Sequence, residues 1–412
     1  MSDREQRGLV IAALCKIDKK GPVYLVPAQT GRGKYTVCPD PTNPHCSCPD
    51  HETRGVKCKR IFAVEFVQQR EQSLDGNLTI TTQTVTITEE KRPTYPQNWP
   101  AYNKAQTTEK AKFRTLLQDL CKGIDEPQQG MGRPRISLAD SIFSAAYKVY
   151  STVSGRRFMT DLTEAHAAGF ITRLPSYNSI FACLESEETT PILKAMIAES
   201  SKPLQAVEVD FAIDSSGFTT SRFIKWFDHK YGKPRQEHEW VKVHLMCGVK
   251  TNIVTAVEIL GKDAQDCPLL PGLVEATAEN FTINEVSGDK AYASFKNYDA
   301  ISAVGATPFI PFKTHQGFSG KHDLWTQMYH YFMFRKEEFC QHYHKRSNAE
   351  STFSMIKAKF RDHVRSKTDV AMRNEALCKI LCHNICVLIQ EMYELGIEPT
   401  FWATEKEQAK IG

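Results

Sequence analysis

The chain has 412 residues, 41% of them hydrophobic and 24% charged, with a net charge of +4. That length allows two or three domains, each burying its own core, and the composition excludes a wholly disordered chain. No uncharged run approaches a membrane span, and the first residues, Met1 to Arg7, lack the apolar core of a signal peptide, so a cytoplasmic protein without a membrane partner is expected.

Up to about residue 70 the chain alternates apolar and polar through Val23–Val26 and Lys34–Val37, meets a cysteine-rich knot, and continues into the apolar run Ile61–Val67. Short strands, a metal knuckle and a helix are predicted for residues 1–75. The chain's thirteen cysteines are scattered and odd in number, which favours reduced thiols and a metal site over disulfides. Residues 76–100 carry a Thr-rich stretch and then three prolines within ten residues, and read as a linker.

Residues 101–200 turn helical, with Ile142, Ala145, Ala146 and Val149 on one face and breaks near Gly130–Arg135 and Leu174–Ser176. Arg133, Arg135, Arg156 and Arg157 make this region a candidate DNA-binding module. From residue 203 to about 400 the pattern is α/β: strands over Ala206–Asp214, Trp240–Val249 and Ile253–Leu260, then helix and strand in alternation. The segment Glu375–Glu391 is apolar nearly all round and predicts a buried helix, with Cys378, Cys382 and Cys386 as small core residues rather than metal ligands.

Three carboxylates stand out in the last region. Alternation over Val207–Asp214 puts Glu208, Asp210 and Asp214 on one strand face and Val207, Val209, Phe211 and Ile213 on the other, with Asp214 at the strand's end before Ser215-Ser216-Gly217. Asp289 repeats this setting beside Gly288. Glu350 shares a predicted helix face with Arg346 and Lys357, at spacings of four and seven, and Tyr343 lies just upstream. Carboxylates from three separate elements are the hard oxygen ligands that a pair of Mg²⁺ ions takes. His244 and Lys290 are weaker candidates for approaching a substrate, and Asp263 and Asp266 read as loop residues.

With these motifs the chain resembles the DDE transposases of bacterial and archaeal insertion sequences. Asp214 in Ala-Ile-Asp-Ser-Ser-Gly-Phe resembles the first Asp of that family, and Asp289 in Ser-Gly-Asp-Lys-Ala-Tyr the second. Glu350, with Tyr343, Arg346 and Lys357, matches the spacing of its Tyr-Arg-Glu-Lys signature. The resemblance covers about the C-terminal half. It implies a ribonuclease H-like core with a mixed sheet, catalysis by Asp214, Asp289 and Glu350 with Mg²⁺ or Mn²⁺, and DNA contacts from Tyr343, Arg346 and Lys357. It further implies cleavage at transposon ends and strand transfer, double-stranded DNA (terminal inverted repeats and target) as partner, a homodimer or larger assembly on DNA, and association with the nucleoid. A non-catalytic DNA-binding protein and a nuclease without strand transfer are the rival readings.

The knot Cys46-Ser47-Cys48, followed by Cys58-Lys59-Arg60, is similar to a SWIM zinc finger, except that Arg60 stands where the pattern has its histidine. Cys46, Cys48 and Cys58 are thus expected to bind Zn²⁺ with His51 as the fourth ligand. Cys38 and His45 are alternatives for that place, and a site that has lost its metal is another.

Overall fold

The computed structural model describes residues 2–29, 33–75, 98–128, 131–132, 134–220, 240–260, 266–313, 316–317 and 319–402. Most of the predicted linker, together with Arg133 and Asp263, lies outside them. The chain divides into two compact units, Met1–Pro96 and Gln97–Gly412.

In the first unit, α1 (Asp3–Leu14) opens with a capping box, Ser2 accepting from the Glu5 amide and the Glu5 carboxylate accepting from the Ser2 amide. Four short strands follow in the antiparallel order β1 (Asp18–Lys20), β2 (Val23–Pro27), β3 (Lys34–Cys38), β4 (His45–Cys46). Then come α2 (Pro49–Arg54) and α3 (Lys59–Asp75). Gly8 lets α1 lie close on α3, because a Cβ there would sit 2.6 Å from that of Phe62 and 2.8 Å from the Lys59 carbonyl oxygen. Ile11, Tyr24, Val26, Val37, Ile61 and Val64 bury a small core that also includes Cys46, Cys48 and Cys58.

The second unit begins with five helices: α4 (Trp99–Cys121), α5 (Leu138–Ser151), α6 (Gly155–Ala167), α7 (Tyr177–Glu185) and α8 (Thr189–Ser201). Trp99 and Pro100, expected in the linker, open α4, because Asn98 caps it by accepting from the Ala101 amide and Pro suits a first turn. Five strands then build one mixed sheet: β5 (Asp210–Thr219), β6 (Trp240–Gly248), β7 (Val254–Leu260), β8 (Glu285–Gly288) and β9 (Thr307–Phe309). Their order is β7-β6-β5-β8-β9, with β5–β6 and β6–β7 antiparallel and β5–β8 and β8–β9 parallel. Helix α9 (Leu270–Ala278) links β7 to β8, and α10 (Phe295–Ala303) makes the β8–β9 crossover. The chain closes with α11 (Asp323–Phe334), α12 (Lys336–Tyr343), α13 (Ser347–Phe360) and α14 (Asp369–Glu394).

Both sheet faces are covered. Ala212, Phe218, Val243, Leu245 and Cys247 pack in one core with α4, α5, α8, α13 and the buried α14, while Phe211, Ile213 and Met246 pack in another with α9 to α12. A mixed sheet sandwiched by helices, with the first strand central and parallel to the fourth, fits the expected ribonuclease H-like core. The helices of residues 101–200 belong to the same core as the sheet; Leu117, Tyr147, Leu162 and Leu193 lie in it with Ile380 and Leu388 of α14. Cys378 and Cys382 lie buried there as well.

Two local expectations are corrected. The first strand of the sheet starts at Asp210, not near Ala206, so Glu208 precedes it and does not share a strand face with Asp210 and Asp214. Glu208 is fully buried, and its carboxylate accepts from the amides of Lys250 (3.1 Å) and Thr251 (2.5 Å) and from the Thr251 hydroxyl (2.7 Å), closing the β6–β7 turn. Nor is Asp214 the last residue of its strand. Ser215 to Thr219 continue β5 because β6 keeps pairing with them through Thr219 and Trp240.

Candidate active site

Asp214 lies mid-way along β5, at the level where the parallel neighbour β8 stops. The register pairs Ile213 with Gly288, so Asp289, the first residue past the end of β8, follows beside Asp214. The Asp289 carboxylate caps the short 3-10 turn Lys290–Tyr292 by accepting from the Lys290 amide at 2.6 Å. A Cβ on Gly288 would lie 2.8 Å from Cγ2 of Ile213, so glycine allows the two strands this approach immediately before both aspartates.

Glu350 comes from the first turn of α13. The signature residues do not share one α-helix as expected. Tyr343 ends α12, His344–Arg346 form a 3-10 turn, and α13 starts at Ser347. The backbone stays right-handed through the junction, so the four-residue spacing still places Arg346 beside Glu350. Arg346 lies between the two acids, with Nη1 3.4 Å from Oδ2 of Asp214 and Nη2 2.5 Å from Oε1 of Glu350. Its guanidinium carbon is 5.9 Å from the centre of the Tyr343 ring. Lys357, two turns along α13, donates to the Ser216 hydroxyl at 2.6 Å and lies over the rings of Phe218 and Phe353. Its burial against them lowers its pKa.

The electrostatics show one connected site. Burial raises the Asp214 carboxyl above the ordinary aspartate range; the Ser215 amide and the Arg346 cation pull it back, and the charges of Glu350 and Asp289 push it further up. Each of the other two carboxylates is therefore close enough to act on Asp214. The three do not form a tight knot: among the described residues, the only set of three ligand-type side chains with atoms all within 4.8 Å of one another is Cys46, Cys48 and Cys58. Like charges hold apart, and the guanidinium supplies the positive charge between Asp214 and Glu350. An all-oxygen donor set from two strand positions and a helix suits hard divalent cations such as Mg²⁺.

A cleft of about 980 Å³ runs from Asp214 and Glu350 past Lys357 to Arg361 and His363. Its far wall is a turn that the sequence did not flag. Arg361 adopts φ 74°, the Thr219 amide donates to the Asp362 carbonyl, and the Val364 amide donates to the Thr219 carbonyl. Two charged residues of α14 hold the turn from behind. Lys379, 1% exposed, donates to the carbonyls of Arg361 (3.1 Å) and His363 (2.6 Å), and burial pushes it down to about 8. Glu375 accepts from the amides of Arg365 and Ser366 and from the Ser366 hydroxyl. The available signal was a pair of opposite charges four residues apart inside an otherwise apolar helix. Lys345, one cation of the basic stretch Lys345–Lys367, has a role the sequence did not show; it bridges Asp210 and Glu285, each at 2.8 Å, and pins the junction before α13 to the ends of β5 and β8.

The weaker candidates separate. His244 is fully buried, 3.5 Å from Asp266, and burial lowers its pKa, so it is a core residue and not a substrate contact. Lys290 is exposed beside Asp289.

In the N-terminal unit the three thiols converge and are buried. Hydrogen bonding with Cys46 and the backbone amides at the start of α3 lower the Cys58 thiol, while the same hydrogen bond and burial raise that of Cys46. His51 is outside this set. Its Nδ1 lies 2.8 Å from the Val56 carbonyl, an arrangement that leaves Nε2 for a ligand. Arg60 is turned away from the role of a ligand and stacks on Tyr35, 4.0 Å from the ring centre.

Among the described residues no helix is long and apolar enough to cross a membrane. No curated protein matches the chain. Among solved structures it is similar to a chain of the cryo-EM structure of the piggyBac transposase synaptic complex with hairpin DNA, at 9% identity and a TM-score of 0.34, over 76% of this chain and 78% of that one. At that TM-score nothing about residue roles follows. Residues 205–385, which carry the sheet, both aspartates, Glu350 and most of α14, match the family described as Transposase DDE domain, and that match supports a DDE transposase.

Proposed function

We propose that this chain cuts DNA at the ends of a mobile element and joins those ends to target DNA, with Asp214, Asp289 and Glu350 as the catalytic carboxylates. The observation that carries the reading is the convergence of the two aspartates at the level where β8 ends with Glu350 from α13, electrostatically coupled and bridged by Arg346. Bound between the carboxylates, Mg²⁺ or Mn²⁺ would activate the attacking oxygen and stabilise the leaving one. The protein's own groups do the rest. Asp214 and Glu350 line one end of the cleft, with Asp289 beside Asp214, and Arg346 offers a fork suited to a phosphate once the acids are otherwise neutralised. Lys357, fixed by Ser216, supplies a second cation, and Tyr343 backs the guanidinium. Two element ends are cut together in such a reaction, so a homodimer or larger assembly on DNA belongs to this reading, as does DNA contact by the helices of residues 101–200.

Incubation with Mg²⁺ and DNA bearing the flanking inverted repeats tests it, scoring cleavage and strand transfer. Cleavage without joining turns the reading into a nuclease, and neither activity across metal and salt titrations turns it into a DNA-binding protein. Glu350→Gln should abolish chemistry and leave DNA binding measurable; unchanged cleavage by that variant removes Glu350 from the site.

Zinc is proposed in the N-terminal unit, on Cys46, Cys48 and Cys58 with His51 completing the set. A closed site of that kind stabilises a small fold and has no open position for catalysis.

A further inference from the structure

We infer that the N-terminal unit binds nucleic-acid backbone phosphates in a cleft built around Arg60. The cleft, about 420 Å³, is lined by Arg4 and Arg7 of α1, Arg54 at the end of α2, and Lys59 and Arg60 at the start of α3. Asp50 is the one carboxylate in its wall, and it is already shared between Arg4 at 3.2 Å and Arg54 at 3.6 Å. Among the described residues, the lining thus brings five cationic side chains from three helices together with one carboxylate.

Arg60 gives the site its fixed element. Its residue is 8% exposed, its guanidinium lies flat enough against Tyr35 for a 4.0 Å approach to the ring centre, and its Nε is buried with no hydrogen-bond partner. Stacking sets the plane of the fork, so the part of the guanidinium that lines the cleft is held ready for an anionic oxygen. The residue that replaces the metal-binding histidine of the SWIM pattern thus faces a basic cleft. One free phosphate cannot satisfy cations spread over three helices, whereas a nucleic-acid strand carries a charge at every nucleotide.

The test uses the full chain without divalent metal and a fluorescent 16-base-pair duplex of arbitrary sequence lacking terminal repeats. Anisotropy is read across a salt series, and amide hydrogen exchange is read over residues 49–60. The duplex should protect that segment. Arg7→Gln with Arg54→Gln, both exposed positions, should weaken binding at least fivefold at low salt and reduce the log–log salt slope by about 1.8, from ~0.9 per phosphate contact. Arg60→Gln should weaken binding more than Arg60→Lys; if Arg60→Gln fails to fold, the exposed pair still decides. An unchanged slope in the exposed pair, or no protection of 49–60, overturns the inference. Equal protection by inorganic phosphate alone makes the cleft a free-anion site, and equal protection by polyglutamate makes it an acidic-peptide site; either result overturns the nucleic-acid assignment. Glu350→Gln should retain the protection, so failure here leaves the carboxylate reading intact.

Discussion

Glu375→Gln isolates the device behind the cleft that runs from Asp214 and Glu350 to Arg361 and His363. The wild-type carboxylate is 3% exposed and receives the Arg365 amide at 3.0 and 2.9 Å, the Ser366 amide at 2.8 Å and the Ser366 hydroxyl at 2.7 Å. It is also the acid whose charge supports two buried lysines, Lys148 and Lys379, both of which burial depresses. Glutamine keeps the shape and one acceptor oxygen but removes the charge, which weakens the bonds from the Arg365 and Ser366 donors and takes opposing charge from two buried cations. Losing the charge assistance of several buried bonds costs roughly 3–5 kcal/mol. For a unit of this size each kcal/mol lowers the melting temperature by about 2 °C, so the variant should melt about 6–10 °C below wild type in calorimetry. Because part of the cost lies in the opposing charge taken from the lysines, adding Lys379→Met should recover about 1–3 kcal/mol relative to the additive sum. Melting within about 1 °C of wild type, or strict additivity in the double variant, refutes the charge argument. Cleavage should fall in the single variant, since the turn that carries Arg361 and His363 along the cleft loses its anchor.

Three further outcomes are expected. In the metal-free protein the Asp214 carboxyl, raised by burial, should titrate above the ordinary aspartate range, read by carboxyl NMR across pH. Arg346 lowers this pKa, hence Arg346→Ala should move that titration to higher pH; superimposable titrations would show that the guanidinium does not act on Asp214. Lys357→Met should weaken duplex binding about equally for all sequences and reduce the salt slope by ~0.9, while a slope equal to wild type would leave Lys357 as a packing residue on Phe218. Purified, chelator-washed protein should retain close to one zinc by elemental analysis, falling in Cys58→Ser; less than about 0.1 equivalent in the wild type ends the zinc proposal.

The elements were legible wherever burial imposes a period. The apolar-rich strands β6 and β7 and the largely buried α14 appear near where the pattern puts them, because packing on both sheet faces demands it. The ends of β5 were misread for the same reason in reverse. Ser215, Ser216 and Gly217 carry the composition of a turn, but β6 supplies a pairing partner through Thr219, and tertiary pairing overrides local preference. Glu208 was placed on a strand face with Asp210 and Asp214 because sequence cannot show that the Lys250–Thr251 turn folds back over it. The turn at Arg361–Ser366 was invisible since its stabilisation comes from side chains of α14 reaching main-chain groups, a pairing with no sequence period.

The carboxylates themselves owe their juxtaposition to an asymmetry between two parallel strands. β8 ends at Gly288, while β5 runs on past Asp214 to Thr219. Asp214 therefore lies in a strand still held on its β6 side and open on its β8 side, where Asp289 emerges and turns into its 3-10 cap. Any side chain at position 288 would meet Ile213 and separate the strands at the step before both acids. The third carboxylate arrives by a different route. Lys345 ties the junction before α13 to Asp210 and Glu285, which are register partners at the opening ends of the same two strands. The strand pair that fixes the aspartates thus also anchors the helix that presents Glu350, and a shift in the β5–β8 register would displace all three acids together.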